Sequence, residues 1–505
     1  MTTNSENSDK QLAQKELARA RKTWEAAALA VFLTLGLVLF VSNREWAAPG
    51  REALILVSVM FALLAVSFCF VAILARWEST FPLFEVGTIC VLVSLLYFFV
   101  PLVNYLFGGM RFTLFSDNRL IGYDPSPADI ARVALRSVTY LLSLCVAYLA
   151  VRRRTQIVPA FVELPRAGRT TTILFLFVAL GGLILAIEAI YGVSFNPPYA
   201  ETRAGIGLTS QLLPYYLQQI MHNVRGMYFV TKLAMLMLFV LNWRRLPVRV
   251  LGCLWLLSEV ALPVVRQGAR TDGALLILGA ILLYHRVVKR LTLWRTCVGG
   301  VVLLGGLILA GVMRDVQGGL GAVASTGISF LSVNNEFQSV FATGYDLYER
   351  SWRKELPGIP WALYANDILA LIPSQALPFV KVDPSQWYLE LLGLQDAQIG
   401  LMFGVLSQSA LGFDWVELAA RGALLGSILG LVHRCYVKRA RYFSWTLAYL
   451  FLCVWIYYTV RSTTFAPVYF VVYRLLPVML LVEIGGMIMA GAVGNDRVRR
   501  ARANV

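Results

Sequence analysis

Long apolar runs recur along the whole chain and are separated by short polar or basic stretches. A helix needs about 20 residues to cross the roughly 30 Å hydrocarbon core of a bilayer, and most of the runs approach that length. The pattern predicts an all-α, polytopic integral membrane protein with about twelve transmembrane helices. The predicted spans centre on Ala28–Val41, Leu54–Leu74, Phe84–Phe107, Val133–Val151, Thr172–Tyr191, Met227–Leu241, Val250–Val265, Ala274–Tyr284, Cys297–Met313, Val416–Val432, Trp445–Val460 and Val468–Ile488.

The composition agrees with this pattern. Of the 505 residues, 58% are hydrophobic and only 15% are charged, whereas soluble domains carry about a quarter charged residues. An ordinary soluble enzyme and a disordered chain are both excluded, because a chain this apolar must bury its side chains. The seven cysteines lie in or beside the predicted spans and form no CxxC pair, which is typical of small packing residues.

The formal net charge is +16. On a soluble domain such a charge would indicate nucleic-acid binding. In a membrane protein its meaning depends on which loops carry the positive residues. More than half of the 45 Lys and Arg residues fall on alternate loops. Positive loops stay in the cytoplasm, which predicts that both termini are cytoplasmic and that no nucleic acid is bound. The loops concerned are Lys10–Lys22, Arg76, Arg152–Arg154 with Arg166 and Arg169, Arg244–Arg249, Arg286–Arg295, Arg434–Arg441 and Arg497–Arg502.

These assignments divide the chain into five parts. We expect a cytoplasmic tail over 1–23, without a cleaved signal peptide, and transmembrane helices 1–9 over 24–313. A long outer loop follows over 314–397. Residues 398–490 hold a re-entrant or interfacial segment and helices 10–12, and 491–505 form a cytoplasmic tail. Whether Gln398–Leu411 crosses, re-enters or lies on the surface stays open.

The long outer loop is rich in aromatic residues interleaved with polar ones, and loops of this length tend to be functional. Aromatic faces beside planar polar groups suit sugars, so Trp352 and Trp387 are candidate sugar-binding residues. The alternative is an interfacial aromatic belt that holds amphipathic helices at the headgroup level. The aromatic residues concerned are Tyr345, Tyr348, Trp352, Trp361, Tyr364, Trp387 and Tyr388.

Eight arginines lie on the predicted outer side or within spans, where the topology rule does not ask for positive charge. Arginine inside a membrane segment costs several kcal/mol and usually faces a cavity or a partner. The set therefore predicts an anionic ligand on the outer face. Its members are Arg203, Arg225, Arg266, Arg270, Arg314, Arg421, Arg461 and Arg474.

Two of these arginines lie in the segment VRQGARTDG. The predicted spans on either side are short, so the turn between them is expected to lie below the membrane surface. Arg266 and Arg270 then share a recess with Thr271 and Gly273 at the start of the next helix. Arginine forks and helix N-termini both bind phosphate.

Ion pairs offer an alternative reading of single arginines and lysines. Glu417 and Arg421 can pair at i,i+4, and Lys232 can pair with Glu188 or Glu259.

His222, the only histidine on the predicted outer side, is a candidate general base. Glu336, Glu390 and Glu417 are comparable candidates. No HExxH, Cys/His cluster, Asp-x-Asp or Walker A motif occurs, so neither a metal nor another cofactor is expected.

At this point the residues resemble a known family. The segment RQGARTDGALLILGAILLYH is similar to the Gly-Ser-Arg-Gly-type segment of bacterial oligosaccharide repeat-unit polymerases, the O-antigen polymerase (Wzy) family. IPSQALPF and then FGVLSQSALGFDWVELAARGALLGSILGLVHR resemble the closing pattern of that family, although Asp414 and Trp415 stand where the family often has glycine.

The resemblance implies a GT-C-like, metal-independent glycosyltransferase of the bacterial inner membrane. It would join polyprenyl-pyrophosphate-linked repeat units at the periplasmic face, with a flippase and a chain-length regulator as possible partners. Arg266 and Arg270 would bind the leaving pyrophosphate, assisted by Arg203 and Arg314, and Arg225 would also contact substrate. Arg421, Arg461 and Arg474 would hold the second lipid head group. His222 or Glu336 would deprotonate the acceptor hydroxyl.

Three alternatives remain. An O-antigen ligase uses the same lipid-linked donor and a similar arginine set. A transporter or flippase shares the layout of twelve spans with inner termini, although RWESTFPLF lacks the Gly-x-x-x-Asp-Arg-type signature of the major facilitator family. A GT-C mannosyltransferase usually carries an acidic pair in its first outer loop, and SNREWAAPGRE lacks it.

Overall fold

The computed structural model describes the chain in segments, and all regular structure in them is helical. No β-strand occurs within these segments. The described residues are 50–76, 84–108, 126–152, 162–191, 215–267, 271–291, 336–369, 371–372, 377–379, 381–393 and 402–503.

Seven helices make up the first part of the described chain. A single turn of π-helix, Tyr284–Val288, extends the last of them. In chain order they are α1 (Gly50–Arg76), α2 (Val86–Gly108), α3 (Pro127–Arg152), α4 (Ala167–Tyr191), α5 (Tyr215–Leu241), α6 (Leu246–Gln267) and α7 (Thr271–Leu283).

The later part alternates short and long helices. A second π turn, Val471–Leu475, lies between the last two. The helices are α8 (Glu336–Arg353), α9 (Trp361–Tyr364), α10 (Asn366–Leu369), α11 (Pro384–Leu391), α12 (Val405–Leu411), α13 (Asp414–Arg439), α14 (Phe443–Trp455), α15 (Tyr458–Arg461), α16 (Ala466–Phe470) and α17 (Leu476–Ala503).

Seven of the described helical segments are long and apolar enough to cross a membrane, so the protein is a multi-pass helical membrane protein. Helix α14 is apolar but shorter. Of the other predicted spans, Ala28–Val41 and Cys297–Met313 lie outside the described residues, and two coincide with α6 and α7. The seven segments are Leu54–Leu74, Val86–Leu106, Pro127–Arg152, Ala167–Tyr191, Ile220–Leu241, Asp414–Arg439 and Ala466–Met489.

The most extensive helix contact joins α3 and α13, which run in parallel. Gly422, Gly426 and Gly430 follow one another at four-residue spacing on α13 and face α3. A Cβ on Gly426 would clash with the backbone oxygen of Leu144 and lie 3.0 Å from the backbone nitrogen of Tyr148. Small residues at this spacing let two membrane helices approach at backbone distance.

The parallel pair defines two ends of the bundle. We call the end where α3 and α13 begin the Asp414 end, because Arg136 donates there to Asp414, with an Nη2–Oδ2 distance of 2.7 Å. The opposite end, where Arg152 lies, is the Arg152 end. The basic residues at the close of α13 and the start of α4 lie there, since the backbone nitrogen of Glu163 donates to the carbonyl of Arg441.

The predicted outer loop over 314–397 is more deeply packed than a surface connector. Its helix α8 lies against α2 and α12, and residues 340–349 are all buried. Phe337 packs edge-on against Tyr97 of α2, with 4.8 Å between ring centroids. The segment Gln398–Leu411, whose course was left open, contains α12, and all seven α12 residues are buried.

Candidate functional site

The residues selected from the sequence are only partly described by the structure. Arg203, Arg270 and Arg314 lie outside the described residues. Arg266 and Glu336 lie on α6 and α8, but their side chains are outside the described set. The selected residues whose side chains are described are His222, Arg225, Arg421, Arg461, Arg474, Trp352 and Trp387.

Arg474 is a buried cation on the π turn between α16 and α17. It is only 5% exposed. Its guanidinium carbon lies 4.1 Å from the ring centroid of Phe470 and 5.0 Å from that of Trp455. Its Nη2 donates to Nε2 of His222 at 2.8 Å. Among the described residues no carboxylate forms an ion pair with Arg474, and its Nε has no hydrogen-bond partner.

This environment leaves the charge of Arg474 incompletely balanced. Two aromatic faces stabilise a guanidinium by about 0.5–2 kcal/mol each, whereas a buried arginine in a membrane segment costs several kcal/mol. Because arginine has no acceptor, Nε2 of His222 must accept, and the histidine proton then lies on Nδ1. The arrangement can bind an anionic group, and His222 can accept a proton at Nε2 only when its bond to Arg474 breaks.

The helix beside Arg474 is shaped to admit the long side chain. A Cβ on Gly226 of α5 would lie 2.5 Å from Nε of Arg474, so glycine leaves the space that the guanidinium stem occupies. One turn earlier, Asn223 accepts a hydrogen bond from the hydroxyl of Tyr469 at 3.2 Å. These two contacts fix α5 against α16 and the π turn.

Further charged groups surround this pair. Arg225 acts electrostatically on His222, and Asp272 acts on Arg474. Asp272 lies in the first turn of α7, two residues after Arg270 in the sequence. The start of α7, which directly follows the segment that the sequence predicted to bind phosphate, therefore lies near Arg474.

Arg421 has a different environment, because two carboxylates already neutralise it. Its Nε donates to Glu417 at 2.7 Å, and its Nη1 donates to Asp367. The same Nη1 lies 3.2 Å from the hydroxyl of Thr464. The predicted pairing of Glu417 with Arg421 is present, and the side chain ties α13 to α10. An anion competes there with two internal carboxylates.

Arg461 and Lys232 also have internal partners. Nε of Arg461 lies 3.1 Å from the sulfur of Met402, and its guanidinium carbon lies 5.3 Å from the ring centroid of Tyr458. Lys232 forms an ion pair with Glu259, with 2.6 Å between Nζ and Oε2. Glu259 is one of the two partners that the sequence suggested for Lys232.

The two candidate sugar-binding tryptophans are largely enclosed. Trp387 is buried. Trp352 is half-buried, and the guanidinium carbons of Arg132 and Arg136 lie 4.9 and 5.0 Å from its ring centroid. Trp361 of α9 is much more accessible, at 60% exposure. Trp352 and Trp387 therefore leave little free ring face for a sugar.

Asp346 is a buried acid that the sequence did not single out. It lies on α8 and is fully buried. Its Oδ2 accepts from Nε of Arg350 and from the hydroxyl of Tyr388, both at 2.8 Å, while Oδ1 has no partner. Burial raises the pKa of the Asp346 carboxyl above its ordinary 3.8, and Arg350 opposes that rise. The i,i+4 spacing to Arg350 was the available sequence signal.

A second cluster of buried charged side chains lies at the Arg152 end. Nε of Arg152 donates to Glu85 at 2.7 Å, and the hydroxyl of Tyr148 donates to the same carboxylate at 3.1 Å. His433 lies nearby, with 3.9 Å between Nε2 and the carboxylate of Glu85. Arg152 was predicted as a basic loop residue, and the structure instead buries it with Glu85.

No group of three or more His, Cys, Asp or Glu residues that could hold a metal occurs in the part of the chain that the structure describes. The fold defines the class of protein: a multi-pass membrane protein of helices with charged residues buried near both ends. The chain matches no protein-family model, no curated protein and no solved structure.

Proposed function

We propose that the chain is a metal-independent glycosyltransferase that joins polyprenyl-pyrophosphate-linked oligosaccharide units at the periplasmic face of the bacterial inner membrane. In this reaction the bond between the anomeric carbon and the pyrophosphate oxygen breaks. The acceptor hydroxyl oxygen forms the new glycosidic bond, its proton passes to a base, and polyprenyl pyrophosphate leaves.

The single observation that carries the proposal is the buried Arg474. A leaving pyrophosphate gains negative charge as its bond to the sugar breaks, and a cation fixed beside it stabilises that charge. Arg474 lies in a membrane-crossing segment without an internal carboxylate partner among the described residues. A pyrophosphate attached to a membrane lipid arrives at the depth where such an arginine lies.

The roles of the other arginines differ in this proposal. Arg266 and Arg270 act together with Arg474 in this proposal. The reason is that Asp272, in the first turn of α7, lies close enough to Arg474 to interact with it electrostatically. Arg421 holds α10 and α13 together, since Glu417 and Asp367 already neutralise it. His222 orients Arg474 through Nε2 and presents its Nδ1 proton as a further donor.

The backbone at Asp414 gives separate support to the family resemblance. Asp414 has a φ of 55°, in the left-handed region that favours glycine, and glycine is common there in the family that the sequence resembles. Aspartate is one of the few other residues that tolerate this conformation. The bidentate contact with Arg136 holds it there.

The binding test uses the purified full chain in detergent. Undecaprenyl pyrophosphate should raise the unfolding temperature of the wild-type protein, and undecaprenol should not. Arg474→Gln should lose this shift. Arg441→Gln is the matched control, because Arg441 is an exposed arginine at the Arg152 end. An equal shift in Arg474→Gln would remove Arg474 from the site.

A genetic test separates the proposal from its alternatives. Deletion of the gene in its own host should leave single lipid-linked repeat units on the periplasmic side. Lipid-linked polymer would indicate the ligase reaction instead. Repeat units trapped on the cytoplasmic side would indicate a flippase, and unchanged glycans would contradict every one of these functions.

A further inference from the structure

The segment that contains α9 and α10 exposes large apolar side chains. Ile368 is 67% exposed and Trp361 is 60% exposed, and Tyr364 is exposed as well. Ring contact with Phe379, at 5.0 Å between centroids, covers only part of Trp361. Such side chains on a connecting segment need an apolar surrounding.

Two anchors fix the depth of this segment. Asp367 binds Arg421, and its other carboxylate oxygen accepts from the backbone nitrogen of Phe465 at 3.4 Å. The carbonyl of Leu371 accepts from the hydroxyl of Tyr473 at 2.8 Å. Arg421 and Tyr473 each lie seven residues beyond the start of a candidate membrane span. At 1.5 Å per residue, each of these two residues lies about 10 Å along its helix from the start of the candidate span.

The part of α13 around Arg421 exposes apolar side chains. On α13, Val416 precedes Arg421 and Leu424 follows it, and both side chains are exposed. Exposed apolar residues on a membrane-crossing helix contact acyl chains. The ion pair of Arg421 with Asp367 joins α10 to this part of α13.

The backbone of the segment also fits a depth without water. Non-helical backbone at membrane depth requires that its polar groups be bound within the protein. The carbonyl of Leu371 is bound by Tyr473, and the carbonyl of Ile372 accepts from Nζ of Lys381. Side chains thus satisfy two consecutive carbonyls that follow α10.

We propose that the α9–α10 segment lies within the membrane, in the leaflet at the Asp414 end, and that Ile368, Trp361 and Tyr364 contact acyl chains. Tryptophan and tyrosine suit the boundary between headgroups and hydrocarbon, and Ile368 lies against hydrocarbon. This inference depends on α13 and the α16–α17 segment crossing the membrane, and not on the transferase reaction.

Spin labelling tests the depth directly. Ile368→Cys is labelled in full-length protein whose seven native cysteines are replaced, in phosphatidylcholine–phosphatidylglycerol vesicles. The label should collide with oxygen and be shielded from a water-soluble nickel chelate. Leu424→Cys serves as the lipid-facing control, and exposed Glu355→Cys should show the reverse accessibility.

Two outcomes would overturn the inference. Equal access of the nickel chelate to positions 368 and 355 would place the segment in water. Exclusion of both reagents from position 368 would show a protein cover, such as a second copy of the chain. A second measurement keeps the native cysteines. Brominated lipids should quench less fluorescence intensity in Trp361→Phe than in the wild type, whereas buried Trp387→Phe should leave the quenched intensity unchanged.

Discussion

Gly226 and Arg474 are complementary in space. A Cβ on Gly226 would lie 2.5 Å from Nε and 2.6 Å from Cγ of Arg474, so the absence of a side chain on α5 is what lets the arginine reach His222. The relationship couples the shape of one membrane helix to the position of a single buried charge.

A branched residue at position 226 should therefore displace Arg474. We expect Gly226→Val to lose the thermal shift with undecaprenyl pyrophosphate as fully as Arg474→Gln does. Gly182→Val is the matched control, because Gly182 is also a glycine within a candidate span and its Cβ would meet no atom within 4 Å. A normal shift in Gly226→Val would separate the guanidinium position from lipid binding.

Replacing Arg474 by an apolar residue should not harm the fold. No carboxylate among the described residues forms an ion pair with Arg474, so its burial carries a desolvation cost that an apolar side chain does not have. We expect Arg474→Met to unfold at the same or a higher temperature while losing the lipid-induced shift. Arg421→Met should behave in the opposite way and lower the unfolding temperature, since it leaves Glu417 and Asp367 without their cation.

The glycine row on α13 should be intolerant of larger side chains. Overpacking a well-packed contact typically costs 1–3 kcal/mol, and Gly426 faces backbone atoms of α3 that cannot rotate away. We expect Gly426→Leu to lower the unfolding free energy by at least about 2 kcal/mol, or to prevent accumulation in the membrane. Gly182→Leu should change it little. Similar thermal stability of both variants would contradict close α3–α13 packing.

The pair Glu85–Arg152 should show strong coupling. Breaking a buried pair leaves an uncompensated charge and costs about 3–5 kcal/mol. We expect Glu85→Leu and Arg152→Met each to destabilise the protein strongly, and the double variant to be more stable than either single one. Additive effects in this double-mutant cycle would show that the two side chains act independently.

Asp346 should make stability depend on pH. Because burial raises its pKa in the folded protein, the folded state keeps the proton at pH values where the unfolded chain has lost it. Its contribution to stability is present below the unfolded value near 3.8 and is lost as pH rises through the folded pKa. Asp346→Asn should flatten the fall of unfolding temperature above about pH 4. Glu390→Gln, at an exposed position, should retain the wild-type profile.

The sequence predicted the parts of the fold that depend on hydrophobic length. Seven of the expected spans coincide with helices long and apolar enough to cross a membrane. The i,i+4 pairing of Glu417 with Arg421 was also predictable, because helical spacing alone brings these side chains together. The sequence suggested Glu188 or Glu259 as the partner of Lys232. The structure shows that Lys232 on α5 pairs with Glu259 on α6.

Contacts between residues far apart in the chain could not be predicted from the sequence in this way. Glu85 and Arg152 stand 67 residues apart, and Arg152 begins a run of three arginines that looks like a solvated loop. The burial of α8 depends on its packing against α2 and α12. In contrast, Gly422, Gly426 and Gly430 stand at four-residue spacing in the sequence. This spacing would have predicted close helix packing, but no prediction was based on it.

The parallel contact between α3 and α13 has a consequence for biosynthesis. Arg136 and Asp414, which meet at one end of this contact, are 278 residues apart. Because the ribosome delivers α3 to the translocon long before α13, the surface of α3 that receives the three glycines must first be covered by lipid or by an insertion factor. The α3–α13 contact therefore forms late, after α3 has entered the membrane. Nascent chains halted before residue 414 will lack this contact.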